Sequence, residues 1–447
     1  MTQILRIVYA VYRLFSSFRF RVARRFTRAG AMVFAAIVLG AVMGIDTENT
    51  VAYQAFTPLL FLLVCAMIFS WRFRARFSVR RFLPRFGTAG QPLSYAVVLK
   101  NNSTRTQSDL MLFDDMTDPR PRFNEWKAVQ LANEKRFRSF RVGKDRRRAS
   151  PFKVASTKSA AIPVVPPGGE TEIKIEMLPM KRGVLSFQSV TLARPDPFGL
   201  FRAFYKMPLA SSLLVLPKRY PLSDFAMPGA TRYQEGGVAL ASNVGQSEEF
   251  VALRDYRRGD PLRHIHWRSW AKAGKPIVKE FEDEFFVRHA LVLDTFTQDP
   301  RSEAFEEAVS VAASFACTIP VQETLLDLLF VGSKAYCFTA GRGVAHGDQM
   351  LEILASVLPC ANKPFSTLEH LVFNHVGQLS GCICVLLAWD APRRAFVKKL
   401  QAEGIPLLVL IVAETGDAAK IRPDPAEIPE RFKILEVGRI EEGLAAL

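Results

Sequence analysis

The sequence predicts a multidomain membrane protein with three parts: an N-terminal two-helix transmembrane hairpin, a small antiparallel β-sandwich-like domain and a C-terminal doubly wound α/β domain. Three observations predict it. Two uncharged apolar runs lie near the N-terminus between arginine-rich flanks. Short alternating strands separated by Pro and Gly turns follow them. From residue 285 to 447, apolar strands then alternate with amphipathic helices. At about 100–200 residues per domain, 447 residues leave room for this arrangement.

The membrane part is read from length and flanking charge. Ala29–Ile45 (residues 29–45) carries no charge and no Pro, and as a helix it spans about 26 Å. Val51–Trp71 (residues 51–71) is a second uncharged run, joined to the first by the short acidic linker Asp46–Thr50. Both outer flanks are rich in arginine, which places the N-terminus and the C-terminal domains in the cytoplasm and the chain in the inner (plasma) membrane with two spans. Arg24, Arg25, Arg28, Trp71, Arg72 and Arg74 are the expected anchors at the lipid headgroups. Residues 1–28 mix Leu5, Ile7, Val8, Tyr12, Phe15, Phe18 and Phe26 with arginine. They suit either an interfacial helix on anionic lipid or a cytoplasmic extension of the first span.

The net charge of +16 at first suggests nucleic acid. Its distribution argues otherwise. Residues 1–85 hold thirteen arginines against Asp46 and Glu48, and Lys135–Lys153 holds nine basic residues against Asp145. What remains is slightly acidic, so no specific nucleic acid is expected on the folded body.

The sandwich-like domain is expected over 86–217, with strands at Tyr95–Leu99, Leu110–Phe113, Ile162–Val165, Glu172–Met177, Val184–Val190 and Leu213–Leu216. A basic insert at about 118–159 has few strand signals. A solvated loop near the membrane is the first reading, with contact to anionic lipid or nucleic acid as the alternative. In the α/β part, strands are expected at Ala290–Asp294, Leu325–Val331, Cys382–Trp389, Pro406–Val412 and Phe432–Val437, with Lys334–Phe338 a hairpin partner. Glu303–Ile319, His346–Leu358, Ser366–Val376, Pro392–Glu403 and Ile440–Leu447 read as helices. Asp294 and Asp390 fall at the carboxyl ends of strands, where open α/β sheets bind ligands. Cys382 and Cys384 read as small core residues.

The connecting segment 218–284 carries the most distinctive motifs. They are Arg254/Tyr256/Gly259/Asp260, then Arg263/Ile265/Trp267, then Val278/Glu280/Phe281, preceded by Asp196-Pro-Phe-Gly-Leu-Phe201. In this order they resemble bacterial domain-of-unknown-function family 58. That resemblance implies a von Willebrand factor A-like C-terminal domain, and a role beside a MoxR-type AAA+ ATPase and other membrane proteins. Such domains often hold a divalent ion on an Asp-x-Ser-x-Ser loop. Here the loop is Asp294-Thr-Phe-Thr-Gln298, which lacks both hydroxyls, leaving Asp294 and Asp390 as weak metal candidates and no cofactor expected.

The expected function is therefore a non-catalytic membrane-anchored scaffold or adaptor in cell-envelope or protein-maturation processes. Arg254, Tyr256, Gly259, Asp260, Arg263, Trp267, Glu280 and Phe281 form its partner-binding surface, since Arg/Trp/Tyr-rich patches suit protein interfaces. The alternative is a hydrolase using Asp260, His266 and Glu280, with His264 and Lys279 nearby. No nucleophile elbow, Walker loop, dinucleotide turn or zinc-ligand set accompanies them, and no small-molecule substrate is evident.

Overall fold

A computed structural model describes residues 2–43, 50–71, 73, 75–117, 120, 122–123, 126–127, 153–222, 250–260, 262–281, 287–299, 302–319, 324–341, 347–414, 416–418, 421 and 428–447. The linker 46–49, Arg72, Arg74 and the part of the basic insert at 128–152 lie outside the described residues, as do the side chains of Glu280 and Phe281. The chain forms two compact units. One is Met1–Lys218 with Leu354–Ser356, the other Arg219–Ile353 with Val357–Leu447.

The first unit opens with three helices, α1 (Thr2–Arg25), α2 (Arg28–Met43) and α3 (Thr50–Trp71). In α3, Gln54–Trp71 is long and apolar enough to cross a membrane, whereas the apolar helix Arg28–Val42 is shorter. The two pack against each other. Along α1, Ile4, Ile7, Val8, Val11, Leu14, Phe15 and Phe18 are exposed at helical spacing. Another side of the helix is partnered: Tyr9 meets Phe123 and Trp126 with ring centroids 5.5 Å apart in both cases.

Arg24 is engaged by protein groups. Its guanidinium pairs with Asp115 at 2.6 Å and lies 4.8 Å from the centre of the Phe113 ring. A carboxylate and aromatic faces on the neighbouring strand offer it more than water does. Arg25 lies over Phe201 and Phe204, while Arg28 and Trp71 are exposed.

Nine strands follow: β1 (Phe77–Phe82), β2 (Phe86–Thr88), β3 (Leu93–Asn101), β4 (Leu110–Met116), β5 (Ala155–Thr157), β6 (Ala160–Ile162), β7 (Glu170–Pro179), β8 (Gly183–Pro195) and β9 (Arg202–Leu216). They form two sheets, β1-β3-β7-β5 and β2-β9-β8-β4-β6, antiparallel throughout except for β2 beside β9. Tyr95, Val97 and Leu99 of β3, Ile173, Ile175 and Met177 of β7, and Leu185 and Phe187 of β8 alternate into one shared core. A register shift between Phe187 and Ser189 resets that alternation, so that Val190 and Leu192 continue the buried face.

The sandwich starts at Phe77, earlier than the 86 expected. The arginine-rich stretch Phe77-Ser-Val-Arg-Arg-Phe82 is a strand because Arg81 turns inward. Its Nε reaches Asp114 at 3.1 Å and a second nitrogen reaches Leu209 O at 3.0 Å, while Tyr95 donates to Asp114 at 2.6 Å. Burial keeps the Asp114 carboxyl above its ordinary pKa despite these partners.

The second unit contains β10 (Phe250–Asp255), α4 (Trp267–Ala273), β11 (Ile277–Phe281), β12 (Val287–Leu293), α5 (Glu303–Thr318), β13 (Thr324–Val331), β14 (Ala335–Ala340), α6 (Gly347–Ser356), α7 (Ser366–Phe373), β15 (Gly381–Leu386), α8 (Ala391–Ala402), β16 (Leu407–Ala413), β17 (Arg431–Glu436) and α9 (Ile440–Ala445). The six-stranded sheet runs β14-β13-β12-β15-β16-β17, parallel save for β14. Every residue of β15 and β16 is buried, as helices on both faces require. Cys382 and Cys384 are part of that core. The strand order reverses between β12 and β15, the switch point at which open α/β sheets form a crevice outside the carboxyl ends of their strands.

Candidate functional site

The signature motifs build a small excursion ahead of the main sheet. Antiparallel β10 and β11 form its base, and a 3-10 turn (Leu262–His264) and α4 connect them. Ile265 and Val278 bridge across and are buried, which ties the connection down to β11. Helix α4 ends at Gly274, whose φ of +67° lets its N–H return to Trp270 O at 2.9 Å.

Asp260 sits at the centre of the excursion. Arg254 clamps its carboxylate with two bonds, 2.7 and 2.8 Å, and the Arg257 N–H adds a third at 2.7 Å. The Arg254 guanidinium, followed by that backbone bond, holds the Asp260 carboxyl at about 2. Gly259, at φ +113°, makes the turn that brings Asp260 back to Arg254. His266 Nδ1 lies 2.6 Å from Ser269 Oγ on the first turn of α4.

With its carboxylate triply engaged and ionised, Asp260 is a strut of the loop and a poor proton carrier. On α4, Trp267 stacks on Trp270 with centroids 5.1 Å apart and planes at 18°. Trp267 is 65% exposed and Leu262 68% exposed. Arg263, Arg257 and Arg258 are exposed, and Tyr256 is half-buried. The structure thus brings Arg254, Gly259 and Asp260 together as a support and leaves Trp267 and Arg263 facing outward. Glu280 and Phe281 are described only as β11 backbone.

The crevice is built differently from the expectation. Asp294, fully buried after β12, accepts from Phe296 N (2.9 Å), Leu387 N (3.0 Å) and Arg393 Nε (2.6 Å). Arg393 projects from the first turn of α8. It also reaches Asp390 Oδ2 at 2.6 Å and Phe296 O at 3.3 Å, and lies 4.9 Å from the centre of the Phe365 ring. Asp390 caps α8 by accepting from Arg393 N at 3.2 Å. Asp294 is therefore half of a buried ion pair. Thr295 is spent on Val331 O, and Gln298 leans toward Ala361 O at 3.4 Å. These residues do not fit a divalent ion, because an arginine already fills the carboxylate pair. Among the described residues, no cluster of three His, Cys, Asp or Glu could hold one.

A third feature is a tight turn after β8. In Asp196-Pro-Phe-Gly-Leu-Phe201, the Asp196 carboxylate accepts from Phe198 N (2.8 Å), Leu200 N (2.8 Å) and Phe201 N (2.6 Å) and so winds the turn tight. Gly199 takes φ +67°. Leu200 and Phe201 are then pushed into a cluster with Ala66, Leu62, Val33 and Phe26, where α2 and α3 meet. Asp followed by Pro and Gly signals a turn, but nothing in it signals a helical partner more than a hundred residues earlier.

Comparison with known proteins agrees with the motif reading. The family model "Protein of unknown function DUF58" matches residues 252–375, the stretch holding the excursion and the first half of the α/β sheet. The "Uncharacterized protein YeaD" of Bacillus subtilis (strain 168) is 30% identical over 193 residues, covering 43% of this chain and 47% of that protein. The matched part thus spans about half the length of that relative. A Salmonella alpha-2-macroglobulin structure is similar at 14% identity over 35% of this chain and 8% of its own, with a TM-score of 0.19. The ASH/PapD-like domain of human CEP192 is similar at 11% over 32% of this chain and 87% of its own, with a TM-score of 0.18. At those scores neither likeness defines a common fold.

Proposed function

We propose, starting from a chain whose residues 252–375 are a DUF58 domain, that this protein is a non-catalytic, membrane-anchored adaptor working from the cytoplasmic face. In this reading α2 and α3 form a two-span hairpin in the inner membrane, with the arginine-rich flanks inside. The C-terminal sheet is von Willebrand factor A-like, its strand order reversing beside β12 as that fold would have it. The partner is a MoxR-type AAA+ ATPase, as the family resemblance implies.

One observation carries the docking assignment. A stacked tryptophan pair with Trp267 two-thirds exposed shares the excursion with exposed Leu262 and Arg263, and the Arg254–Asp260 clamp braces that excursion. Large aromatics on a rigid support, rimmed by arginine, are the composition of interface hot spots. The hydrolase reading lacks such support, since the Asp260 oxygens are occupied by Arg254 and the Arg257 N–H. Co-purification of the tagged full chain with the AAA+ ATPase tests the proposal. Trp267→Ala and Arg263→Ala should abolish it and His266→Ala should leave it. Hydrolytic activity of the purified chain that disappears with His266→Ala would replace the adaptor with an enzyme.

A further inference from the structure

We infer that Arg393 is a built-in cation: its guanidinium stands where a divalent ion would bridge Asp294 and Asp390, which makes this crevice independent of Mg2+, Mn2+ and Ca2+. The inference rests on four features of the described residues. The Asp294 carboxylate is 0% exposed, and a buried carboxylate needs a counter-charge. Arg393 supplies it at 2.6 Å, from a side chain only 8% exposed itself. The N–H groups of Phe296 and Leu387 take two further acceptor directions of Asp294, so that with Arg393 three of its roughly four are filled. Asp390 is held by the same guanidinium at 2.6 Å, with Phe365 lying against the guanidinium's face.

The substitution is permanent. A guanidinium does not deprotonate at any pH the folded chain survives. Burial alone would weaken its hold on the proton, but the carboxylates of Asp294 and Asp390 outweigh that and raise its pKa. A divalent ion approaching the Asp294 oxygens would meet this positive group in a poorly screened interior and be repelled. The loop composition agrees with the geometry. Phe296 and Gln298 stand where two hydroxyl ligands would be needed, and the Thr295 hydroxyl is turned to donate to Val331 O.

The arrangement has a consequence for docking. A crevice closed by its own arginine cannot recruit a partner carboxylate through a shared metal ion and cannot be switched by metal supply. Partner contact through this domain would then not depend on metal supply, which deepens the adaptor reading. The test involves no partner, so its failure would leave that reading where it stands.

The experiment titrates Mn2+ into the full chain in detergent micelles and counts bound ion by electron paramagnetic resonance. Wild type should bind no stoichiometric Mn2+ up to about 1 mM, the weak end of protein Ca2+ sites, and should melt at the same temperature in EDTA and in Mg2+. Arg393→Ala should expose the two carboxylates and take up one Mn2+ at least about tenfold more tightly than wild type. Adding Asp294→Asn should abolish that uptake. One Mn2+ bound to wild type and lost with Asp294→Asn alone would overturn the inference, as would a folded Arg393→Ala that binds none. If Arg393→Ala fails to fold, the wild-type titration and its Asp294→Asn control decide the matter.

Discussion

The Thr27 hydroxyl donates to the Gly199 carbonyl at 2.5 Å, and the Thr27 N–H donates to Leu200 O at 3.1 Å. Thr27 precedes α2, and its hydroxyl also accepts from Gly30 N at 3.0 Å. One residue therefore starts an apolar helix and grips the turn after β8. The Asp196–Phe201 motif is a joint between the sandwich and the helical pair, and its tight turn serves to bring backbone within reach of α2.

Gly30 is the closest point of that joint. A Cβ there would lie 1.9 Å from Leu200 O, which is backbone and cannot yield cheaply. Gly30→Val should therefore destabilise the first unit by about 2 kcal/mol or more, measured as a fall in unfolding midpoint of the full chain in detergent. Ala29→Val, one residue earlier at an exposed position, should be nearly neutral.

The buried Arg81–Asp114–Tyr95 group makes a second prediction. Both charged side chains are almost fully buried, so removing one strands the other. Arg81→Ala should cost about 3–5 kcal/mol. Arg81→Met combined with Asp114→Leu should cost much less, since no lone charge remains. Chemical denaturation of the two variants against wild type checks the difference.

Acid should loosen the excursion in a defined window. Its Asp260 carboxyl titrates at about 2 when folded, against about 3.9 in an unfolded chain. The clamp's contribution is complete above about pH 4. It falls away as pH drops toward 2, because the opened loop takes up the proton first. Hydrogen exchange of β10 and β11 amides should speed up over that interval in wild type. In Asp260→Asn it should be fast already at neutral pH and vary little with acid.

Much of the architecture was legible because periodicity reports burial. Glu172–Met177 reads as a two-faced strand and lies within β7. Leu325–Val331 and Lys334–Phe338 read as a pair and form antiparallel β13 and β14. The misreadings share a physical cause. The sequence counts Arg81 and Arg24 only as flanking charge, yet Asp114 and Asp115 on β4 pair with them. Arg393 looks like one more helix arginine, because its partner Asp294 is 99 residues away and charge pairing leaves no periodic trace. Of the residues expected to bind a partner, Trp267 and Arg263 are exposed. Arg254, Gly259 and Asp260 instead brace the same excursion from within. Composition identifies such a patch, but only geometry divides its residues into contact and support.

The most direct measurement is the affinity of the purified full chain for a purified MoxR-type AAA+ ATPase, compared between wild type, Trp267→Ala and His266→Ala. Loss of an exposed hot-spot tryptophan costs about 2 kcal/mol. The adaptor account therefore predicts binding weakened about 30-fold by Trp267→Ala and nearly unchanged by His266→Ala. Equal affinity for all three, or no binding by wild type, would contradict it.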